Sequence, residues 1–129
     1  MRYHHIALSV SNLEKSVEFY KKVFGFFEVK RFELEEKGLK VAFLKLNRSD
    51  NLNLELFQPF KPIKNKDDLS NLDVLGLKHI AFEVEDANSK FKELEAKNFE
   101  VTEPREGKYC RKYFFIKDPD GFIMEFYQK

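Results

Sequence analysis

The stretch HIALSV at residues 5–10 is repeated as HIAFEV at residues 79–84, 74 positions further along the chain. Near the end of each half, NLELFQ at residues 53–58 matches IMEFYQ at residues 123–128, now at an offset of 70. The offset shrinks as it would if the second copy had a shorter helix and a shorter middle hairpin. A repeat of this size indicates one supersecondary unit used twice.

Each copy reads as a strand, a helix and three further strands, because alternating apolar residues flank one stretch of helical periodicity. The predicted strands cover residues 4–10, 26–35, 39–46 and 51–58 in the first copy and 78–84, 99–102, 109–116 and 122–128 in the second. DPDG at residues 118–121 predicts a tight turn before the last strand, and RSDN at residues 48–51 is its counterpart.

The two helices have recognisable beginnings and ends. Ser11 and Glu14 have the spacing of a capping box, and Gly25 is placed to end the first helix in the left-handed conformation. In the second copy Asp86 is the predicted N-cap, and Asn98 takes the place of the glycine. Apolar stripes on one face are predicted for both helices, formed by Leu13, Val17, Tyr20 and Phe24 and by Ala87, Phe91 and Leu94.

A length of 129 residues and 15.4 kDa predicts a single domain, 1–129, with module one at about 1–58, a linker at about 59–76 and module two at about 77–129. The formal net charge is +1, from 23 basic and 22 acidic side chains, which argues against nucleic-acid or anionic-membrane binding. The single Cys110 excludes an intrachain disulfide and fits a reducing compartment. No apolar stretch approaches the roughly 18 residues of a membrane span, and residues 1–10 lack signal-peptide features. We therefore expect a soluble cytoplasmic protein.

The repeat also duplicates residues that bind metals, because His5 matches His79 and Glu55 matches Glu125. Strand alternation places all four on the faces opposite the fully apolar ones. A lone histidine at the start of a strand is usually a surface or hydrogen-bonding residue, and His4 is interpreted in that way. Two positions that both recur with the same identity and on the same face are hard to explain by exposure. Two imidazoles and two carboxylates suit Zn, Ni, Co, Mn or Fe.

These residues resemble those of the vicinal oxygen chelate superfamily, and within it the glyoxalase I-like branch. The resemblance spans the chain and is carried by HHIALSV (4–10), NLEKSVEFYKKVFGF (12–26), NLELF (53–57), GLKHIAFEVED (76–86) and DPDGFIMEFYQ (118–128). It implies an α+β fold in which two repeated βαβββ modules form a cupped, barrel-like mixed sheet around one divalent metal per site.

Transferred by position, the ligands implied by the resemblance are His5, Glu55, His79 and Glu125. The complete set is similar to that of short bacterial glyoxalase I enzymes of the nickel/cobalt type, so Ni or Co is favoured over Zn, Mn or Fe. The superfamily's ring-cleaving dioxygenases typically use two His and one Glu, and its epimerases often place Gln at the first Glu. The full set therefore favours isomerase chemistry.

The predicted function is that of a lyase/isomerase that converts a thiol–methylglyoxal hemithioacetal to a 2-hydroxyacyl thioester. Such chemistry removes a weakly acidic C–H proton next to a carbonyl, and a metal can stabilise the charge that develops. A carboxylate released from the metal can move the proton; Glu125 is the first candidate for this base and Glu55 the second. The alternatives are an epimerase or dioxygenase on the same scaffold, or a non-catalytic protein that sequesters a small ligand.

The thiol half of the substrate, a thiol adduct of a 2-oxoaldehyde, is less well defined. Many glyoxalase I enzymes have an Arg on the first strand where this chain has Ser9. The cations that precede the seventh strand either replace it or are solvated loop charges; they are Arg105, Lys108, Arg111 and Lys112. The resemblance also implies a homodimer whose sites each combine His5 and Glu55 of one subunit with His79 and Glu125 of the other.

Overall fold

The computed structural model describes residues 1–46 and 53–129, and the chain divides into two compact units, 1–65 and 66–129. The first unit contains β1 (His5–Ser9), α1 (Leu13–Phe24), β2 (Phe27–Leu34), a 3-10 turn (Glu35–Lys37), β3 (Leu39–Lys45) and β4 (Asn53–Pro59). The second unit contains β5 (His79–Glu83), α2 (Ala87–Ala96), β6 (Lys112–Lys117) and β7 (Ile123–Gln128). No helix in these described ranges is long and apolar enough to cross a membrane.

The sheets of the two units repeat one pattern of strand pairing. In the first unit the order is β1-β4-β3-β2, with β1 parallel to β4 and the other neighbours antiparallel. In the second unit the order is β5-β7-β6, with β5 parallel to β7 and β6 antiparallel to it. The predicted α+β class with repeated mixed-sheet modules is confirmed, and each sheet is open at its edges rather than closed into a barrel.

The helices supply the apolar cover that the sheets need. On α1 the predicted stripe is buried at Leu13, Val17 and Tyr20, and on α2 it is buried at Ala87 and Leu94. Within each unit the first strand is exposed on the opposite face, where His5 and His79 lie. This leaves the histidine-bearing faces of both sheets available for polar chemistry.

The N-cap of α1 differs from the predicted capping box, because the helix begins one residue later. Asn12 has the extended N-cap conformation, and its Oδ1 accepts a hydrogen bond from the Lys15 amide at 3.1 Å. Glu14 pairs with Arg31 on β2. The predictions for Asp86 and Gly25 are confirmed: Asp86 accepts from the amides of residues 88 and 89, and Gly25 has a φ of 79°.

The second unit has one strand fewer than predicted. The prediction of a strand at residues 99–102 is wrong. Only an isolated bridge forms there, between Val101 and Ile116. Thr102 uses its hydroxyl as well as its backbone to bond Phe115, and Pro104 has no N–H with which to continue a ladder. A strand signal next to a proline therefore ends as a single bridge.

The turn at residues 118–121 forms as predicted. The Gly121 amide donates to the Asp118 carbonyl at 3.0 Å, and Gly121 has a φ of 87°. The buried Asp118 side chain also accepts from the amides of Asp120 and Phe122, at 2.9 and 2.8 Å. The counterpart predicted at residues 48–51 lies outside the described residues.

Candidate metal centre

In the first unit, the strand register places an imidazole next to a carboxylate. Glu55 on β4 lies opposite Ala7 on the parallel strand β1, two residues past the pair His5–Asn53 and therefore on the same face of the sheet. Because Ala7 is small, the His5 ring can reach along the sheet surface towards Glu55. His5 Nε2 and Glu55 Oε2 are 3.4 Å apart, with 40% and 19% of the two side chains exposed.

The second unit reproduces this arrangement at the equivalent positions. Glu125 on β7 lies opposite Ala81 on β5. His79 Nε2 and Glu125 Oε2 are 3.0 Å apart, with 41% and 13% of the side chains exposed. Within each unit the structure thus brings together one predicted imidazole and one predicted carboxylate.

An aromatic ring lies against each pair, although the ligand motifs alone do not predict it. Phe43 on β3 is the register partner of Glu55, and Phe115 on β6 is the partner of Glu125. The His5–Phe43 ring centroids are 5.7 Å apart and the His79–Phe115 centroids 5.9 Å. The signal was present in the sequence, since AFLK at residues 42–45 matches FFIK at 114–117. An apolar ring beside a carboxylate limits its hydration and strengthens its attraction to a cation.

The donor atoms of both pairs fit a divalent ion. Two atoms bound to one ion at about 2.1 Å lie about 3.0 Å apart at right angles and about 3.4 Å apart at the tetrahedral angle. The observed separations of 3.0 and 3.4 Å match this range. Imidazole nitrogen with carboxylate oxygen is also a donor set suited to first-row divalent metals. Among residues 1–46 and 53–129, no group of three or more His, Cys, Asp or Glu side chains is assembled that could hold a metal ion.

A cavity of about 830 Å³ in the second unit includes His79 in its lining. Its size is within the range of small-molecule sites. The walls are mostly apolar, and two lysines and two carboxylates contribute to them: Lys78, Lys117, Glu100 and Asp118. The apolar side chains of the lining are Leu69, Leu72, Phe99, Val101, Phe115, Ile116 and Ile123. A small, largely apolar organic molecule suits such a lining.

The four candidate cations before and at the start of β6 have different surroundings. Lys112 Nζ donates to Asn88 Oδ1 on α2 at 3.1 Å, and Lys108 Nζ lies 6.0 Å from the centre of the Tyr109 ring. The guanidinium groups of Arg105 and Arg111 have no hydrogen-bond or ion-pair partner within the described part of the chain. The side chains of Arg105, Arg111 and Lys108 are therefore available to donate hydrogen bonds to an anion, since Lys108 Nζ also makes no hydrogen bond within the described residues.

Comparison with known proteins finds relatives that match nearly the whole length of the chain. A sequence model of the Glyoxalase/Bleomycin resistance protein/Dioxygenase superfamily matches residues 2–126. The chain is 33% identical over 132 residues to a lactoylglutathione lyase from Neisseria meningitidis serogroup B (strain MC58), covering 100% of this chain and 91% of the relative.

It is also 30% identical to a mitochondrial methylmalonyl-CoA epimerase from Dictyostelium discoideum, covering 97% of this chain and 76% of the relative. Among solved structures, a glyoxalase family protein from Enterococcus faecalis superposes with a TM-score of 0.82 at 28% identity, covering 98% of this chain and 97% of that one.

Proposed function

Since this chain belongs to the Glyoxalase/Bleomycin resistance protein/Dioxygenase superfamily, we propose that it is a metal-dependent lyase/isomerase of the glyoxalase I type. It converts the hemithioacetal of a thiol and methylglyoxal into a 2-hydroxyacyl thioester. The observation that carries this proposal is the duplicated His–Glu pair, with Nε2–Oε2 separations of 3.4 and 3.0 Å. Binding or sequestering a small ligand would not require two matched pairs of metal ligands.

The metal is held by His5, Glu55, His79 and Glu125, with Ni or Co preferred. A divalent ion bound there supplies Lewis-acid stabilisation of negative charge on two neighbouring substrate oxygens. Glu125 removes the proton from the substrate carbon next to the carbonyl and returns it to the adjacent carbon. Only 13% of its side chain is exposed, which protects the transferred proton from exchange with solvent. Glu55 is the alternative base, and His5 and His79 serve as ligands.

The substrate lies along the second unit, where His79 and the cavity adjoin. The apolar lining accommodates the carbon skeleton of the adduct, and Arg105 and Arg111 provide donors for a carboxylate on the thiol. Because Ser9 stands where many glyoxalase I enzymes have an arginine, the thiol is to be identified by assaying several small thiols. We further propose a cytoplasmic homodimer in which each site takes two ligands from each subunit.

An epimerase acting on a thioester is the second candidate, favoured by the relative named methylmalonyl-CoA epimerase. Both reactions begin by removing a proton next to a carbonyl, so the same carboxylates could serve either one. The two reactions differ in the substrate they accept, and the complete set of two histidines and two glutamates favours the first candidate.

The test is metal reconstitution followed by two assays. The apo-protein is loaded separately with nickel, cobalt, zinc and ferrous iron, then assayed with methylglyoxal plus several small thiols and with a chiral 2-methylmalonyl thioester. We expect turnover of a hemithioacetal, highest with nickel or cobalt. Epimerisation without hemithioacetal turnover would establish the second candidate instead.

The ligand assignment is tested by His79→Ala, which we expect to lower the bound metal per chain sharply while leaving the fold intact. Glu83→Gln is the matched control, since Glu83 lies on the same strand and face but pairs with Lys129. Metal content is measured by atomic absorption and the fold by circular dichroism. Undiminished metal in His79→Ala would contradict the assignment.

A further inference from the structure

The two His–Glu pairs differ in what supports the imidazole. In the first unit, His4 Nδ1 lies 2.8 Å from His5 Nδ1, within hydrogen-bond distance. The other nitrogen of His5, Nε2, is the one that faces Glu55. His5 therefore has a neighbour at both ring nitrogens: the candidate metal ligand Glu55 at Nε2 and His4 at Nδ1.

His4 is itself held by a buried amide. Asn53 Nδ2 donates to the His4 backbone carbonyl at 2.9 Å, and only 5% of Asn53 is exposed. Asn53 is also the register partner of His5 across the parallel β1–β4 pair. The start of β1 is thus fixed by a side chain from β4, the strand that also carries Glu55.

The second unit has neither feature. Lys78 occupies the place of His4 and donates its Nζ to the Asn71 carbonyl at 2.9 Å, away from the ring of His79. Ile123 occupies the place of Asn53 as the register partner of His79. Because the repeat preserves the ligands but not these neighbours, the His4–Asn53 arrangement is particular to one half of the molecule.

The chemistry of a ligating imidazole explains what His4 does. A neutral imidazole that binds a metal through Nε2 carries its proton on Nδ1 and needs an acceptor there. The nearest group to His5 Nδ1 is His4 Nδ1, which accepts when the proton of its own ring is on the exposed Nε2. Such an acceptor fixes the ring orientation of the ligand and raises its basicity.

We propose that His4 is a positioning residue for the ligand His5, accepting a hydrogen bond from His5 Nδ1–H while Asn53 anchors the His4 backbone. The inference rests on the proposed metal site and adds a partner that acts on the metal only through His5. It assigns the better organised half-site to the first unit.

The experiment measures zinc affinity by competition with a chromophoric chelator. His4→Phe keeps a ring next to Phe43, whose centroid is 6.3 Å away, but removes the acceptor. We expect its zinc affinity to fall about 10- to 100-fold, the usual effect of losing such a partner. His4→Asn places a carbonyl oxygen where Nδ1 was and should restore affinity close to that of the wild type. Lys78→Met, at the matched position of the repeat, should leave zinc affinity unchanged.

A spectroscopic signature accompanies the affinities. In the cobalt(II)-loaded wild type, the His5 ring N–H should give a hyperfine-shifted proton signal protected from exchange, and His4→Phe should lose that signal to solvent exchange. Wild-type affinity in His4→Phe, or equal losses in His4→Phe and His4→Asn, would overturn the assignment of His4. His5→Ala distinguishes failure of the His4 assignment from failure of the metal site itself. If His5→Ala binds zinc as tightly as the wild type, the proposed metal site is wrong as well.

Discussion

At the scale of single residues, the two carboxylates of the candidate site are not equivalent. Glu125 is less exposed than Glu55, at 13% against 19%, and lies closer to its imidazole, at 3.0 Å against 3.4 Å. Both have an aromatic ring as register partner, Phe115 for Glu125 and Phe43 for Glu55. A less exposed carboxylate exchanges a transferred proton with solvent less readily. This difference favours Glu125 as the base.

Glu125→Gln should therefore separate catalysis from metal binding. The amide keeps the size and one oxygen donor but removes the basic group, so we expect kcat to fall about 100-fold or more. The loss of bound metal should be smaller than in His79→Ala, and Glu55→Gln serves as the matched variant in the other unit. Near wild-type kcat in Glu125→Gln together with a large loss in Glu55→Gln would make Glu55 the base.

The four candidate ligands stand out in the sequence because the repeat preserves both their identity and their strand face. His4 and Asn53 could not, because their roles depend on a contact between adjacent rings and on the register of two strands 49 residues apart. Phe43 and Phe115 lie between these cases: their match is visible, but aromatic residues in strands are usually core. Sequence thus points to candidate metal ligands more readily than to the residues that position them.

At the scale of elements, strand ends and helix starts are tied together in the same way in both units. Gln58, on β4, accepts a hydrogen bond from the Leu13 amide at 2.7 Å, and Gln128, on β7, accepts from the Ala87 amide at 3.0 Å. The repeated Gln is therefore a structural device that satisfies a free amide at each helix start. It explains why the match between the halves extends beyond the ligands.

The N-caps of the helices differ in charge, and this predicts a difference in acid sensitivity. The Ser89 backbone amide first, and then its hydroxyl, hold the pKa of Asp86 below its ordinary value. A carboxyl whose folded pKa is lowered stabilises the fold above its unfolded pKa of about 3.9, and this stabilisation is lost as the pH falls through the folded pKa. Asp86→Asn keeps a good cap without the charge, so its urea midpoint should fall less than that of the wild type between pH 7 and about pH 3.

Asn12→Asp is the reciprocal control, since Asn12 caps α1 without a charge. It should gain the acid dependence that Asp86→Asn loses, with both effects small because the sites are exposed and screened by solvent. Identical acid profiles for the wild type and both variants would show that the cap charge contributes nothing. The helix starts could be predicted to within one residue, and the shift from Ser11 to Asn12 arose because two adjacent residues were both good caps. The strand predicted at residues 109–116 begins three residues later, at Lys112.

At the scale of the whole molecule, the number of candidate ligands in each unit bears on whether the protein forms a dimer. Each unit provides one imidazole and one carboxylate, so a site of four ligands combines one first unit with one second unit, from one chain or from two. The stretch from residue 59 to residue 76, which joins β4 to β5, carries apolar side chains that are largely exposed, including Ile63, Leu72 and Leu75, at 96%, 80% and 97%. Exposed apolar groups of this kind favour a protein partner, and a second copy of the chain is the partner that would also supply the missing ligands.

Complementation distinguishes sites within one chain from sites shared between two. His5→Ala and His79→Ala chains, each inactive alone, are mixed under conditions that allow subunits to exchange, and hemithioacetal turnover is measured against each variant exchanged with itself. If sites are shared, a mixed dimer has one site lacking both histidines and one site with all four ligands intact, so activity should return. Because mixed dimers form half of a random population and have one intact site of two, recovery approaches about a quarter of wild-type activity. If both halves of each site come from the same chain, every site lacks one histidine and the mixture stays inactive, which would refute the shared arrangement.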